Sequence, residues 1–402
     1  MTSCRVIGLL SGTSMDGVDV AVAELSLTDE TIDLHPRGHA EVPYPSALRN
    51  ALLSALPPHG STAEDVCRLD TEVGQAFAAT AATALADLAG GEADLVASLG
   101  QTLYHWVDVS DGHALGTLQI GQPAWIAEAT GLPVVADLRA RDVAAGGHGA
   151  PLAGVLDRLW LRELADTGVV AALNIGGIAN ITVVAPDLPA LAFDTGPGNA
   201  LLDAAARMIS NGVWQRDVDG DLAAQGSCRE DLLKLLLADP YYALAAPKST
   251  GKERFHADYL RGALDEVPRV SGPDLLATLV ELTATTIADA CRAHDVTRVV
   301  ASGGGVRNPT LMKALARLIA PVTVSGSDEL GLPSDAKEAY LTALIGFLTW
   351  SGIPANVPSA TGARGPRLLG SITPGGTALR LPEPTTNRVT RLRVTQPAIS
   401  GR

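Results

Sequence analysis

The sequence predicts an α/β protein built as two lobes. At a prior of about 150 residues per domain, a chain of 402 residues is long enough for two cores. β-rich runs alternate with alanine-rich helical patterns along its length. A glycine-bearing β-hairpin recurs near the start of each half, at 8–21 and at 173–184, as a weak internal duplication. Composition agrees: 47% hydrophobic and 18% charged residues with 41 glycines and only 4% aromatics exclude disorder and suit an alanine-rich enzyme.

The elements follow in order. CRVIGLLSG and VDVAVAEL flank GTSMDG, which makes the opening a hairpin with a polar tip. A helical pattern at 62–89, a strand at 94–100, a hairpin-like segment at 116–123 and a strand at 133–138 complete the first series. The second begins with a helix at 151–166 and continues with the hairpin LNIGGIANITVV, a helix after GPGN at 199–211 and a long helix at 273–294. The strand TRVVASGG, the helix NPTLMKALARLIA and a helix at 335–350 close it. These boundaries give an N-terminal lobe at 1–136, a C-terminal lobe at 137–350, a return segment at 351–375 that packs on the lobes, and a Pro-, Gly-, Thr- and Arg-rich flexible tail at 376–402.

Several classes are excluded. A formal net charge of −14 argues against nonspecific nucleic-acid binding, which is built on many exposed Lys and Arg residues. The apolar region at 169–185 is interrupted by Asn174, Gly176, Gly177 and Asn180, so no membrane span is expected. The short apolar run near the N-terminus lacks a cleavage pattern, and the four cysteines are scattered without a C-x-x-C pair. A reducing cytoplasm is the expected location.

The tips of the two hairpins are the first candidate site. In Gly12, Thr13, Ser14, Met15, Asp16, Gly17, Val18 and Asp19, small residues let the backbone approach a phosphate, hydroxyls and N–H groups donate to it, and Asp16 is placed to hold a magnesium ion directly or through water. One such hairpin in isolation reads as an ordinary turn, with Asp and Gly in turn-forming roles. Asn174, Gly176, Gly177 and Asn180 repeat the arrangement, and two such hairpins can grip a nucleotide's phosphate tail between them.

FDTGPGNALLDA contributes Asp194, read as the end of a strand beside a helix that Asn199 caps. That carboxylate suits a general base, or alternatively binds turn amides. In ASGGGVRNPTLM, the run Gly303, Gly304 and Gly305 followed by Asn308 suits an adenosine ring lying on backbone, although it fails the dinucleotide fingerprint and no G-x-x-x-x-G-K-[ST] occurs. DLRARDVAAGGHGAPL, with Asp137, Arg139, Arg141 and Asp142 ahead of a glycine loop, and PKSTGKERF, with Lys248, Lys252 and Arg254, supply the local positive charge an acidic protein needs to bind an anion, or else are solvated loop charges. His105, His113 and His148 lack metal-ligand spacing.

Taken together, SGTSMDGVDVA, GQTLYHW, LQIGQPAWIAEATGLPVVADLRARDVAAGGHGAPL, LNIGGIANIT, FDTGPGNALLD, PKSTGKERF, SGGGVRNPTLM and TGARGPRLLGSITPG resemble the anhydro-N-acetylmuramic acid kinases, over nearly all of residues 5–375. The resemblance implies a two-lobed actin-like ATPase (ribonuclease H-like) sugar-kinase fold with duplicated mixed-sheet lobes that close on ATP and sugar. It implies ATP and Mg2+ as cofactors, and phosphorylation of 1,6-anhydro-N-acetylmuramic acid with opening of the anhydro bridge, in cell-wall recycling. By the same resemblance Asp194 is the base that activates the attacking water. Glu338, within AKEAYLTA, helps to orient the water or the C1 end, or else lies on a solvated helix face. Gln101, Gln119, Asp137, Arg139, Gly196, Asn199 and Lys248 face the sugar.

The expected partners are the sugar and ATP, with neither nucleic acid nor membrane, and a homodimer is left open. Leu99 stands where the family pattern usually has His, and Lys337 where it has an apolar or small residue. These departures keep two alternatives in view: a same-fold kinase of another sugar, and a nonenzymatic sugar-binding regulator.

Overall fold

A computed structural model describes residues 3–56, 59–108, 113–186, 188–251, 254–383 and 388–395. The chain divides into two units, one formed by residues 1–160 with 336–402 and the other by 161–335. The first supplies β1 (Ser3–Ser11), β2 (Gly17–Thr28), β3 (Thr31–Pro43), β4 (Leu95–Val107), β5 (Ala114–Ile120) and β6 (Val134–Ala136). The second supplies β7 (Val170–Ile175), β8 (Ile178–Val184), β9 (Leu191–Pro197), β10 (Arg298–Ser302) and β11 (Thr323–Gly326). β12 (Ser371–Thr373) and β13 (Arg391–Val394) return to the first.

The first unit's sheet runs β12-β6-β4-β1-β2-β3-β13, with β5 pairing β4, and the second unit's runs β11-β10-β7-β8-β9. In each, the first three strands form an antiparallel meander. The fourth main strand then joins the outer side of the first in parallel, as β4 joins β1 and β10 joins β7, and a fifth follows it. The duplication suspected from two hairpins is thus a duplication of whole mixed sheets. Two copies of this strand order make the α/β fold that of the actin-like, ribonuclease H-like class.

Local sequence explains the helices beside these sheets. Helix Ala63–Asp87 starts at a capping box, in which Thr62 Oγ1 accepts from the Asp65 amide at 3.1 Å and the Asp65 carboxylate accepts from the Thr62 amide at 3.0 Å. Its residues Leu69, Val73, Phe77, Ala81 and Ala84 keep a spacing of three or four and form one buried face. In the second unit, Leu276, Leu279 and Ile287 of helix Gly272–Ala293 share a core with Leu173, Ile175 and Ile181 of β7 and β8.

Helix Lys337–Trp350 is apolar nearly all round, and all but two of its residues are buried. Two glycines let the first unit's sheet approach it. A Cβ on Gly8 of β1 would stand 2.2 Å from the Ala339 carbonyl oxygen, and one on Gly346 of the helix 2.5 Å from the Ala97 Cβ on β4. This contact corrects the lobe boundaries at 136/137 and 350. Residues 137–160 and the helix belong to the first unit, because helix Ala153–Trp160 pairs its Asp157 with Lys337 at 2.6 Å while the longer helix lies on β1. The helix expected over 151–166 accordingly breaks after Trp160 and resumes as Arg162–Ala165. Segment 351–375 also belongs to the first unit.

The tail is a second correction. β13 pairs in parallel with β3, register Arg391 to Thr31 through Val394 to Leu34, with Val389 and Leu392 buried. That burial is what fixes part of a segment expected to be flexible; residues 384–387 and 396–402 lie outside the described residues.

Candidate active site

In the first unit, the loop between β1 and β2 is built from beneath. Met15, at φ 52°, and Val18 turn their side chains into the core, while Thr13, Ser14 and Asp16 remain exposed. Ser14 Oγ donates to Asp16 Oδ1 at 2.8 Å. The Gly12 carbonyl accepts from the Met15 amide at 3.2 Å and from Gln101 Nε2 at 3.2 Å. Ser11 Oγ lies 2.6 Å from the Gly17 carbonyl oxygen and 2.7 Å from Gln101 Oε1. Gln101, expected to face the sugar, is fully buried and braces this loop. Gly17 is required by close approach, since a Cβ there would stand 2.4 Å from the Val42 carbonyl oxygen of β3. Asp19 sits one turn of the pleat further on, opposite Leu10 of β1 and Glu41 of β3.

A second group in the same unit gathers around Arg139. Its Nη1 donates to the Gly149 carbonyl at 2.7 Å. Burial pulls the guanidinium below its usual pKa range, and the Glu338 carboxylate opposes that shift. Arg139 and Glu338, 199 positions apart in sequence, are therefore electrostatic neighbours. Glu338 is exposed in the first turn of helix Lys337–Trp350. His105 Nδ1 lies 3.1 Å from Thr117 Oγ1, and burial, Arg139 and His148 all hold its pKa below the ordinary value.

Gln119 Nε2 donates to Thr117 Oγ1 at 2.7 Å and to Thr102 Oγ1 at 3.2 Å on the same hairpin. Asp137, at φ 57°, accepts from Ser371 Oγ at 3.0 Å. The loop carrying Arg139 is pinned by buried Asp142, which accepts from the Gly149 amide, Asn356 Nδ2 and Thr361 Oγ1 at 2.7–2.8 Å. Asp142 is structural, a role with no local signal because two of its partners lie more than 200 residues away.

In the second unit, strand register collects the expected residues. Asn174 of β7 stands opposite Asn180 of β8, and Asn180 opposite Asp194 of β9, so the three share one face of the sheet. Asp194 is the fourth of seven residues of β9, which corrects its placement at a strand end. The strand runs on through Gly196, at φ 150°, with a register shift opposite at Ala179/Asn180. Neighbouring segments fix Asp194. Its amide donates to the Lys248 carbonyl at 2.9 Å, its carbonyl accepts from Tyr241 Oη at 2.7 Å, and its Oδ2 accepts from the Thr250 amide at 2.9 Å. The amide that meets Asp194 Oδ2 thus comes from the loop after Lys248.

Lys248 Nζ donates to the carbonyls of Tyr241 and Tyr242 at 3.1 and 3.2 Å, and burial holds its pKa below the ordinary value. Arg254 pairs with Asp239. Lys252 lies outside the described residues.

The tip Gly176–Gly177 holds the start of helix Ala200–Ile209: the Gly177 carbonyl accepts from the amides of Gly198 and Ala200, and the Gly176 carbonyl from that of Asn199. Asn199 occupies the N-cap position, yet its Nδ2 donates to the Ile175 carbonyl at 3.3 Å and makes no side-chain cap, a correction to the capping role. Of the three glycines after β10, Gly303, at φ 85°, is confined by Asn174 and Gly305 by Ile175, whereas a Cβ on Gly304 would meet nothing within 4 Å. Gly304 lines a pocket of about 160 Å³ with Asn199, Asn308, Arg216 and Arg307. Asn308 Oδ1 caps helix Pro309–Ile319 by accepting from the Leu311 amide at 3.0 Å. Sequence reasoning missed Thr250 and Tyr241, whose only signal was their nearness to Lys248.

No helix among the described residues is long and apolar enough to cross a membrane, and no group of three or more His, Cys, Asp or Glu side chains among them is arranged to hold a metal.

The duplicated sheets, each with a glycine-bearing first hairpin, carry the strand order of the actin-like class, and the second sheet presents the polar row ending in Asp194. The chain belongs to the anhydro-N-acetylmuramic acid kinase family, whose model matches residues 4–375. It is 59% identical over 380 residues to the anhydro-N-acetylmuramic acid kinase of Streptomyces coelicolor, covering 94% of this chain and 96% of that one. It is 51% identical over 382 residues to that of Rhodococcus erythropolis, covering 93% and 95%. Among solved structures, a ROK family glucokinase from Streptomyces griseus in complex with glucose and AMPPNP is 13% identical, with a TM-score of 0.36 over 84% of this chain and 97% of its own, too slight a likeness to carry an argument.

Proposed function

We propose that the chain transfers the γ-phosphoryl group of ATP to O6 of 1,6-anhydro-N-acetylmuramic acid while water opens the bridge at C1, giving N-acetylmuramic acid 6-phosphate and ADP. The water oxygen bonds to C1 as the C1–O6 bond breaks; O6 bonds to the γ-phosphorus as the β–γ bridge breaks; and one water proton passes to Asp194. Such a step needs a positioned carboxylate, as in an inverting glycosidase, together with charge neutralisation at the transferring phosphoryl group. The observation that carries this reading is the row Asn174, Asn180 and Asp194 on one sheet face, with the Asp194 carboxylate steadied by the Thr250 amide.

In this reading residues 12–19 and 174–180 hold the phosphates. Gly303, Gly304, Gly305 and Asn308 hold the adenosine, for which the pocket at Gly304 and Asn308 is the support. Arg139, Gln119, Asp137, Gly196, Asn199 and Lys248 serve the sugar, Gln101 acts by holding the first loop, and Glu338, beside Arg139, orients the water or C1.

Asp16 fits magnesium, which is commonly held by one or two carboxylates plus substrate phosphates, and Asp16 is an exposed carboxylate on a loop of small residues. Magnesium bound there with the nucleotide supplies charge neutralisation at the phosphates. The place of this reaction is recycling of cell-wall sugar in the cytoplasm.

Leu99 favours a second reading, a kinase of another sugar, because the family pattern has a polar residue at that position. ATP supplied separately with anhydro-N-acetylmuramic acid, N-acetylmuramic acid and N-acetylglucosamine distinguishes them. Turnover is expected with the anhydro sugar in large excess over the others. Equal or better turnover of a non-anhydro sugar contradicts the proposal, and nucleotide binding without turnover of any of the three points to a regulator.

A further inference from the structure

β9 is the last strand of the second unit's sheet, so among the described residues Asp194 has a ladder neighbour on one side only. On that side the ladder is irregular: Asn180 stands opposite Asp194 and Ala179 opposite Gly196, so the register skips Thr195, the residue directly after Asp194. The outer side is closed by the turn Pro240–Ala243 and the loop after it. There the Lys248 carbonyl accepts from the Asp194 amide at 2.9 Å, and Tyr241 Oη donates to the Asp194 carbonyl at 2.7 Å. Peptide units are planar, so an amide held on one side of a residue and a carbonyl held on the other fix the direction of its Cα–Cβ bond. Tyr241 is itself locked in place. It is 2% exposed, its amide donates to Asp239 Oδ1 at 2.9 Å, Lys248 Nζ lies 4.6 Å from its ring centre, and the Phe255 ring meets it edge-on at 5.9 Å. A phenylalanine would keep all of these contacts; the bond to Asp194 alone needs the hydroxyl.

We propose that Tyr241 is a positioning residue for the reaction: its hydroxyl holds the backbone of Asp194 at the break in the ladder, and so keeps the carboxylate aimed at the water it deprotonates. This rests on the assignment of Asp194 as the base. The Thr250 amide restrains one carboxylate oxygen, but it acts on the end of a side chain whose root Tyr241 and Lys248 place. Misplacing a reacting group by about 1 Å costs on the order of a hundredfold in rate, so freeing that root acts on turnover, while substrate affinity is assigned to other side chains.

The test compares wild type, Tyr241→Phe, Asp194→Asn and the double variant for kcat, for KM toward ATP and anhydro-N-acetylmuramic acid, and for thermal melting. Tyr241→Phe should lower kcat about tenfold or more while both KM values stay within about twofold of wild type. In the Asp194→Asn background the same change should cost nothing further, because no base is left to aim. An aminophenylalanine at position 241, with its para amine as donor in place of the hydroxyl, should restore most of the turnover. A raised KM with kcat retained, an equal loss in both backgrounds, a loss that the aminophenylalanine does not restore, or failure of Tyr241→Phe to fold overturns the inference, because the hydroxyl then serves binding or the fold. Wild-type turnover by Tyr241→Phe, with Asp194→Asn impaired, overturns it and leaves the base assignment standing. Near-wild-type turnover by Asp194→Asn overturns both.

Discussion

Asp194→Asn is expected to lower turnover by at least about two orders of magnitude, because a positioned base typically contributes about 100- to 10,000-fold. The substitution isolates basicity. Asparagine keeps an oxygen able to accept from the Thr250 amide, and the backbone bonds to Lys248 and Tyr241 do not involve the side chain at all. Nucleotide affinity should change little, since the phosphates are assigned to the two hairpin loops. If Asp194 served only to tie down the segment at Thr250, the variant would keep near-wild-type activity. Turnover and nucleotide affinity measured on the same folded variant separate the two outcomes.

Lys337→Met is expected to cost about 3–5 kcal/mol of stability, the usual consequence of removing one partner from a buried ion pair. Lys337 and Asp157 meet at 2.6 Å with side chains only 8% and 3% exposed, and the ammonium also lies 5.7 Å from the Trp160 ring centre. The variant leaves a buried carboxylate without its counter-charge. For a unit of this size the melting temperature should fall on the order of 10 °C. Combining Asp157→Leu with Lys337→Met should recover most of the loss, because well-packed apolar side chains replace a buried pair at little cost. A single variant that melts with wild type contradicts the pairing. This also accounts for the departure seen in the sequence: a lysine in the first helical turn is unfavourable to the helix dipole, and here Asp157 of a neighbouring helix compensates for it.

What the sequence made legible was local. The hairpin tips at 12–16 and 176–177 were written in glycine and small polar residues between β-rich runs, and helix Ala63–Asp87 in its spacing and its capping threonine. What it hid depended on distant partners or broken periodicity. β3 carries Pro36 and Gly38 and is largely exposed beyond Leu34, so no alternation marked it as a strand. β13 gained its place from an edge supplied some 360 residues earlier. Asp194 looked like the end of a strand because Thr-Gly-Pro-Gly spells a turn, yet Gly196 lets the strand continue through an irregular register. The nearness of Arg139 to Glu338, and the hub at Asp142, arise only once the return segment and helix Lys337–Trp350 pack into the first unit.

The central claim, phosphorylation coupled to hydrolytic ring opening, is tested most directly by running the reaction in ¹⁸O-labelled water with ATP and anhydro-N-acetylmuramic acid and determining the mass and anomeric configuration of the product. The account predicts N-acetylmuramic acid 6-phosphate carrying one labelled oxygen at C1, with the configuration inverted there and no label in the phosphate. A phosphorylated sugar that retains its anhydro bridge, or label appearing in phosphate and not at C1, would contradict it.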